Sequence, residues 1–206
     1  MVRTAALISI VLTFIVPTQA QKLGKDVLAA IATSPEQIAE RAVVKNDPLD
    51  TVVRVDTSNF YVDRQGLLKF VSSDKFMRAV IDKKTGEANF QIYLWTEYSG
   101  DWMFFNRLNY MGPTGPESVE VHQIERRVVS CSRYGCTHVE HIAADIPESV
   151  LRDVAKDAKA GVDASWLVKV FGKSTEGSTT GVLKTEIAGI LLAVDRERAK
   201  LGFSGK

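Results

Sequence analysis

The chain predicts an α+β fold: one domain with a mostly antiparallel β-sheet, packed by a C-terminal amphipathic helix and one or two further helices. Three observations lead there. From Thr51 onward the apolar residues recur with a period of two. Short turns containing glycine separate the alternating runs. Near the C-terminus, Ile187, Ile190, Leu191, Val194 and Leu201 form a stripe at helical spacing over residues 186–201, a candidate cover for one sheet face.

Residues 1–20 read as an export signal. Arg3 supplies the positive start, and residues 5–16 are apolar except for Ser9 and Thr13. Pro17 breaks the run, and Thr18-Gln19-Ala20 offers small residues to a signal peptidase. The apolar run is well short of the ~20 residues of a spanning helix. Cleavage after Ala20 is therefore expected, with an uncleaved anchor as the alternative and no stable membrane insertion afterwards. Gln21 is not a cysteine, which argues against a lipoprotein. The location implied is periplasmic or secreted.

Cleavage leaves about 186 residues, the length of one ordinary domain. The expected division is a helical segment over residues 21–50 and a β-rich α+β domain over residues 51–206. Without Arg3 the 26 basic and 25 acidic residues of the whole chain become balanced, and no run of like charge occurs. A nucleic-acid partner needs a basic face to neutralise phosphates, and a polybasic membrane patch needs clustered lysines and arginines. Neither is expected.

The helical segment opens with a short helix over residues 25–32, then Ser34-Pro35-Glu36-Gln37, a capping box with proline at the first helical position. Ile38, Ala42 and Val43 form its apolar stripe, and Asn46-Asp47-Pro48 ends it. Val53 and Val55 begin the sheet, with short strands expected at 60–62 and 67–71 around the turn Arg64-Gln65-Gly66. Residues 76–82 and 87–97 form a hairpin about Lys83-Lys84-Thr85-Gly86. With Asp82 opposite Glu87, Met77, Ala79 and Ile81 share a face with Ala88, Phe90, Ile92 and Leu94. A turn at Tyr98-Ser99-Gly100-Asp101 predicts a third strand over residues 101–110, with Trp102 opposite Glu97. Met103 and Phe105 then join the apolar face, and Trp102 and Phe104 join Tyr93 and Trp95 on the other. Later come an amphipathic helix over residues 147–160, a strand over 165–171, and a Ser/Thr/Gly loop over 173–181.

Residues 119–143 form a second hairpin. Its strands meet at Cys131 and Cys136, the only two cysteines, and it contains all three histidines, His122, His138 and His141. In an oxidising compartment the cysteines predict a structural disulfide across the tip. A redox role would instead show Cys-x-x-Cys opening a helix. The same register sets Val128 opposite Val139 and Arg127 opposite Glu140. It puts His138, Glu140, Arg127 and Glu125 on one face and His122 and His141 on the other. The run IDKKTGEANFQIYLWTEYSGDW, with VVSCSRYGC and VEHIAADIP after it, resembles a family of small exported bacterial β-rich proteins of uncharacterised function. The resemblance spans residue 76 to the C-terminus. It implies export and a β-rich domain, and brings no catalytic residues with it.

No catalytic constellation emerges from spacing. His138-Val139-Glu140-His141 invites a metal reading, but zincin chemistry needs His-Glu-x-x-His on a helix. On a strand Glu140 and His141 point to opposite faces; His138 and Glu140 could share a metal only with a third ligand that is not apparent. The Pro-Cys-x-x-Cys half of a deaminase signature is missing. Gly172-Lys173-Ser174 resembles the end of a P-loop, yet Leu167 stands where the motif requires glycine. No Gly-x-Ser-x-Gly occurs, and spacing selects no pair among Glu97, Asp101, Glu140 and Asp145 for glycoside hydrolysis. No metal and no cofactor are expected. The aromatic set Tyr93, Trp95, Trp102 and Phe104 remains: either core beneath the C-terminal helix, or a groove for an apolar ligand, peptide or sugar ring. The function expected is therefore a non-catalytic exported module that binds an envelope protein partner or a small apolar ligand. The alternatives are a small hydrolase with its site near His138 and Glu140, and a structural or stress-related envelope protein.

Overall fold

The computed structural model describes residues 25–58, 71–161, 165–173 and 177–203. The signal segment, the strand expected at 60–62 and most of that at 67–71 lie outside the described residues. Nine strands form one antiparallel, curled sheet in the order β1-β2-β3-β4-β7-β6-β5-β8-β9. They are β1 (Val43–Lys45), β2 (Val52–Asp56), β3 (Val71–Asp82), β4 (Ala88–Ser99), β5 (Arg107–Gly112), β6 (Gly115–Ser132), β7 (Gly135–Ile146), β8 (Ser165–Phe171) and β9 (Ser178–Leu183). Four helices accompany it: α1 (Lys25–Ala32), α2 (Pro35–Arg41), α3 (Glu148–Ala155) and α4 (Lys184–Lys200). Among the described residues no helix is long and apolar enough to cross a membrane.

The β3–β4 hairpin has the expected register, with the Asp82 N–H donating to the Glu87 carbonyl at 2.9 Å and Ile81 opposite Ala88. Met77, Ala79, Ile81, Phe90, Ile92 and Leu94 line one face together with Val53 and Val55 of β2. Helix α4 covers this face with Ile187, Ile190, Leu191 and Val194, as its spacing predicts. Burying such a face removes apolar area worth about 25 cal/mol per Å². Polar ties fix the helix in place. The Thr57 hydroxyl donates to the buried Glu186 carboxylate at 2.6 Å, and the Met77 N–H donates to the same hydroxyl at 2.9 Å. Gly189 lets α2 lie against α4, because a Cβ there would fall 2.5 Å from Ile38 Cγ2. The capping box of α2 is closed in both directions between Ser34 and Gln37.

A second tie joins α3, α4 and the β3–β4 turn. The Arg198 guanidinium donates to both oxygens of Glu148 at 2.8 Å and to the Gly86 carbonyl at 2.8 Å. Arg152 bridges Glu148 and Asp195 at 2.6 and 2.8 Å. The two guanidiniums hold the Glu148 carboxyl down at about 2, with the Arg198 hydrogen bonds the largest cause.

Four expectations are corrected by the observed pairing. Val43 does not extend the helix toward Asn46: α2 ends at Arg41, and residues 43–45 pair with β2 as strand β1. Residues 102–106 are not a strand beside β4; β7 takes that place, and β5 begins only at Arg107, between β6 and β8. The loop expected over 173–181 gives way at Ser178 to β9, which pairs with β8. The β6–β7 register shifts twice. Cys131 faces Cys136 as expected, but Val129 and Ile124 are extra residues in β6. Each such bulge advances the pairing by one. Arg126, not Arg127, therefore faces Glu140, and Glu125 faces His141 on the opposite side of the sheet. The histidines still divide as predicted, with His138 on the core side and His122 and His141 on the other.

Strand β6 also changes neighbours along its length. Its pairing with β5 ends at Glu120, and its pairing with β7 begins at Val121. No residue of β6 is laddered on both sides. The sheet thus has a seam where one strand passes from one set of neighbours to the other.

Candidate functional site

The crossing segment, residues 102–106, lies at this seam, and backbone hydrogen bonds stitch it to both sides. The Asn106 N–H donates to the Phe171 carbonyl at 2.9 Å, and the Asn106 carbonyl accepts from the Val121 N–H at 3.2 Å. The Lys173 N–H donates to the Met103 carbonyl at 2.7 Å. This approach requires glycine at 172, since a Cβ there would stand 2.1 Å from the Met103 carbonyl oxygen. A hollow of about 480 Å³ opens beside the segment, lined by Asn106, Arg107, Ser118, Val119, Glu120 and Val121.

Glu140 anchors the segment from beneath. Its side chain is 0% exposed, and its carboxylate accepts five hydrogen bonds. The Tyr98 hydroxyl and the Phe104 N–H (2.8 Å) donate to Oε1; the Phe105 N–H (3.2 Å) and Arg126 Nε and Nη2 (3.2 and 3.0 Å) donate to Oε2. Such bonds to a charged acceptor are about twice as strong as neutral ones. The Tyr98 hydroxyl in turn accepts from the Met103 N–H at 2.9 Å. Burial, and next the bond to Glu140, push the Tyr98 hydroxyl well above the ordinary phenol range, so it stays protonated at neutral pH. A carboxylate with every lone pair engaged organises the backbone; it has no free direction in which to take a proton from a substrate.

This anchoring holds Phe104 in a conformation that a side chain disfavours. Its φ is +49°, the one non-glycine residue with positive φ among the described residues. That backbone costs on the order of 1–3 kcal/mol and persists where the surroundings over-determine it. Here the surroundings are the Glu140 carboxylate below and the Gly172–Lys173 backbone beside it. The result is that Trp102 and Phe104 stand half-buried at the surface, 6.1 Å apart. Arg126 lies 4.4 Å from the centre of the Phe104 ring and Lys173 Nζ lies 4.1 Å from it. The Trp102 ring packs 4.1 Å from His138. His138 is only 6% exposed, and its Nδ1 is buried without a hydrogen-bond partner.

The four aromatics expected on one surface are thus separated. Trp102 and Phe104 come together with His138, Glu140 and the two cations. Tyr93 and Trp95 lie on the other side of β4, away from α4. Tyr93 stacks on Phe76 at 4.9 Å under the Arg78 guanidinium, with His141 edge-on at 5.4 Å. Trp95 stands half-buried opposite His141 in the ladder. Desolvation holds the His141 imidazole below its ordinary value, so it is neutral at pH 7. Neither alternative read from sequence describes this side: it is not under the C-terminal helix, and it does not include Trp102 or Phe104. Cys131 and Cys136 form the expected disulfide at the hairpin tip. Among the described residues no group of three or more His, Cys, Asp or Glu is placed to hold a metal ion.

Three residues of the corner are not selected as site residues by the sequence. Tyr98 falls within a turn, Arg126 is one residue from the arginine that regular pairing selects, and Lys173 belongs to the discarded phosphate-loop fragment. That fragment was the available clue: its Gly-Lys pair makes the close approach to Met103 and supplies the cation over Phe104. No family model, curated protein or solved structure matches the chain.

Proposed function

We propose that the protein is an exported, non-catalytic binding module of the cell envelope, and that its ligand docks on the corner formed by Trp102 and Phe104. One observation carries this reading: a buried carboxylate and a strained backbone are used to hold two aromatic rings at the surface rather than in the core. Backbone strain of this kind gathers at binding sites, where preorganisation lowers the entropy cost of association. Aromatic residues and arginine dominate such contacts. The non-catalytic part of the reading draws support from Glu140, whose five hydrogen bonds leave it no role as a general base beside His138. Export rests on the leader at residues 1–20 and agrees with the disulfide, which belongs to oxidising compartments.

The test is affinity capture from the periplasmic extract of a source cell on immobilised mature protein, with Trp102→Ala as control and mass spectrometry of what is retained. A small molecule or protein held by the native chain and lost from the variant supports the reading. Equal recovery from both refutes it.

A further inference from the structure

The corner's charge specifies the ligand more closely. Resting on the binding reading above, we propose that the site takes an anion joined to a flat apolar body, such as an aromatic carboxylate or sulfonate. Lys173 and Arg126 receive the charge, and Trp102 and Phe104 receive the body.

Arg126 spends Nε and Nη2 on Glu140, which leaves Nη1 directed elsewhere. Among the described residues no carboxylate lies within ion-pairing distance of the Lys173 ammonium. Glu140, the carboxylate behind the corner, is fully buried and already saturated. Among the described residues, one positive charge in front of the rings therefore has no carboxylate partner. The faces of an aromatic ring attract cations, but Phe104 is already served by two of the protein's own. A cationic ligand would meet like charge there, and a neutral one would leave the Lys173 ammonium without a counter-charge. An anion completes the set. Its apolar body gains area and stacking against Trp102, whose ring is partly open.

Two fluorescent probes of similar size separate charge from apolarity: the anion 8-anilinonaphthalene-1-sulfonate and the neutral N-phenyl-1-naphthylamine. Each is titrated into the folded native protein, Lys173→Gln and Trp102→Ala, with circular dichroism confirming that both variants fold. The anion should bind saturably and more tightly than the neutral probe. Lys173→Gln should weaken the anion by roughly ten- to 150-fold and leave the neutral probe unchanged, the range expected for one hydrogen bond to a charged group. Equal affinity for the two probes, or an anion affinity that Lys173→Gln does not alter, overturns the anion proposal while leaving the aromatic corner as a binding site. If Trp102→Ala changes neither probe, the binding reading itself fails.

Discussion

Removing the carboxylate of Glu140 should loosen the protein by an amount that can be worked out in advance. Glu140→Ala leaves the Arg126 guanidinium without its counter-charge and the Phe104 and Phe105 N–H groups without an acceptor. Breaking one side of a buried ion pair costs about 3–5 kcal/mol. Each orphaned buried donor costs about 1–3 kcal/mol when counted alone. The terms share one site and do not add, and release of the Phe104 strain returns about 1–3 kcal/mol. A net loss of about 4 kcal/mol is expected, a large part of the ~5–15 kcal/mol that holds a domain folded. With a urea slope of about 2 kcal/mol per molar, the midpoint should fall by about 2 M. Glu140→Gln retains the volume but turns an NH₂ toward donors, and should lose about 2–4 kcal/mol. Tyr98→Phe removes one bond to the charged acceptor and should lose about 1.5–3 kcal/mol. Urea melts followed by tryptophan fluorescence and circular dichroism measure all three. A Glu140→Gln midpoint indistinguishable from native would show that the carboxylate does not hold the crossing segment, and the account of the corner would fall with it.

Three further perturbations test other parts of the fold. Glu148, held down to about 2 from its ordinary 4.5, contributes stability that is fully present above about pH 4.5 and is lost as the pH falls toward 2. Glu148→Gln should therefore melt earlier than native protein at pH 7, and the two urea midpoints should converge near pH 2. Gly189→Ala gains up to about 1 kcal/mol of helix propensity but drives a methyl group into Ile38. The overpacking should win by about 1–3 kcal/mol, and Ile38→Ala in the same chain should recover most of it. Reducing Cys131–Cys136 opens a very short loop, so the loss should be at most about 2 kcal/mol. Faster amide exchange should then be confined to the tip of the β6–β7 hairpin, and alkylation of native protein should find no free thiol.

Elements whose register is set by a local turn were legible from sequence. The β3–β4 hairpin alternates cleanly on both sides of Lys83-Lys84-Thr85-Gly86, and a slip of one residue would expose its whole apolar face. Helix α4 declares itself by its stripe, and α2 by its cap. The seam was hidden for three physical reasons. Ile124 and Val129 are β-branched or apolar residues that suit a regular strand, so nothing marks them as bulges. Residues 102–106, Trp-Met-Phe-Phe-Asn, have the aromatic content that strands favour, and Phe105 does enter the core as a regular strand would place it. What pulls them off the ladder is a carboxylate some thirty-five positions later, a tertiary effect with no local sign. Positive φ at Phe104, without a glycine to announce it, has the same origin.

The handover along β6 has a mechanical consequence. A ladder resists bending because each strand is bonded on two sides, and any rotation between neighbours must break or stretch several bonds at once. At Glu120–Val121 β6, the only strand common to both laddered halves, passes from one to the other, and rotation about that point breaks no strand–strand pairing. The joint behaves as a torsional spring whose stiffness comes from its stitching: the Asn106 and Met103 carbonyls and the grip of Glu140 on the crossing segment. The angle between the halves is thus governed at the same few residues that present Trp102 and Phe104.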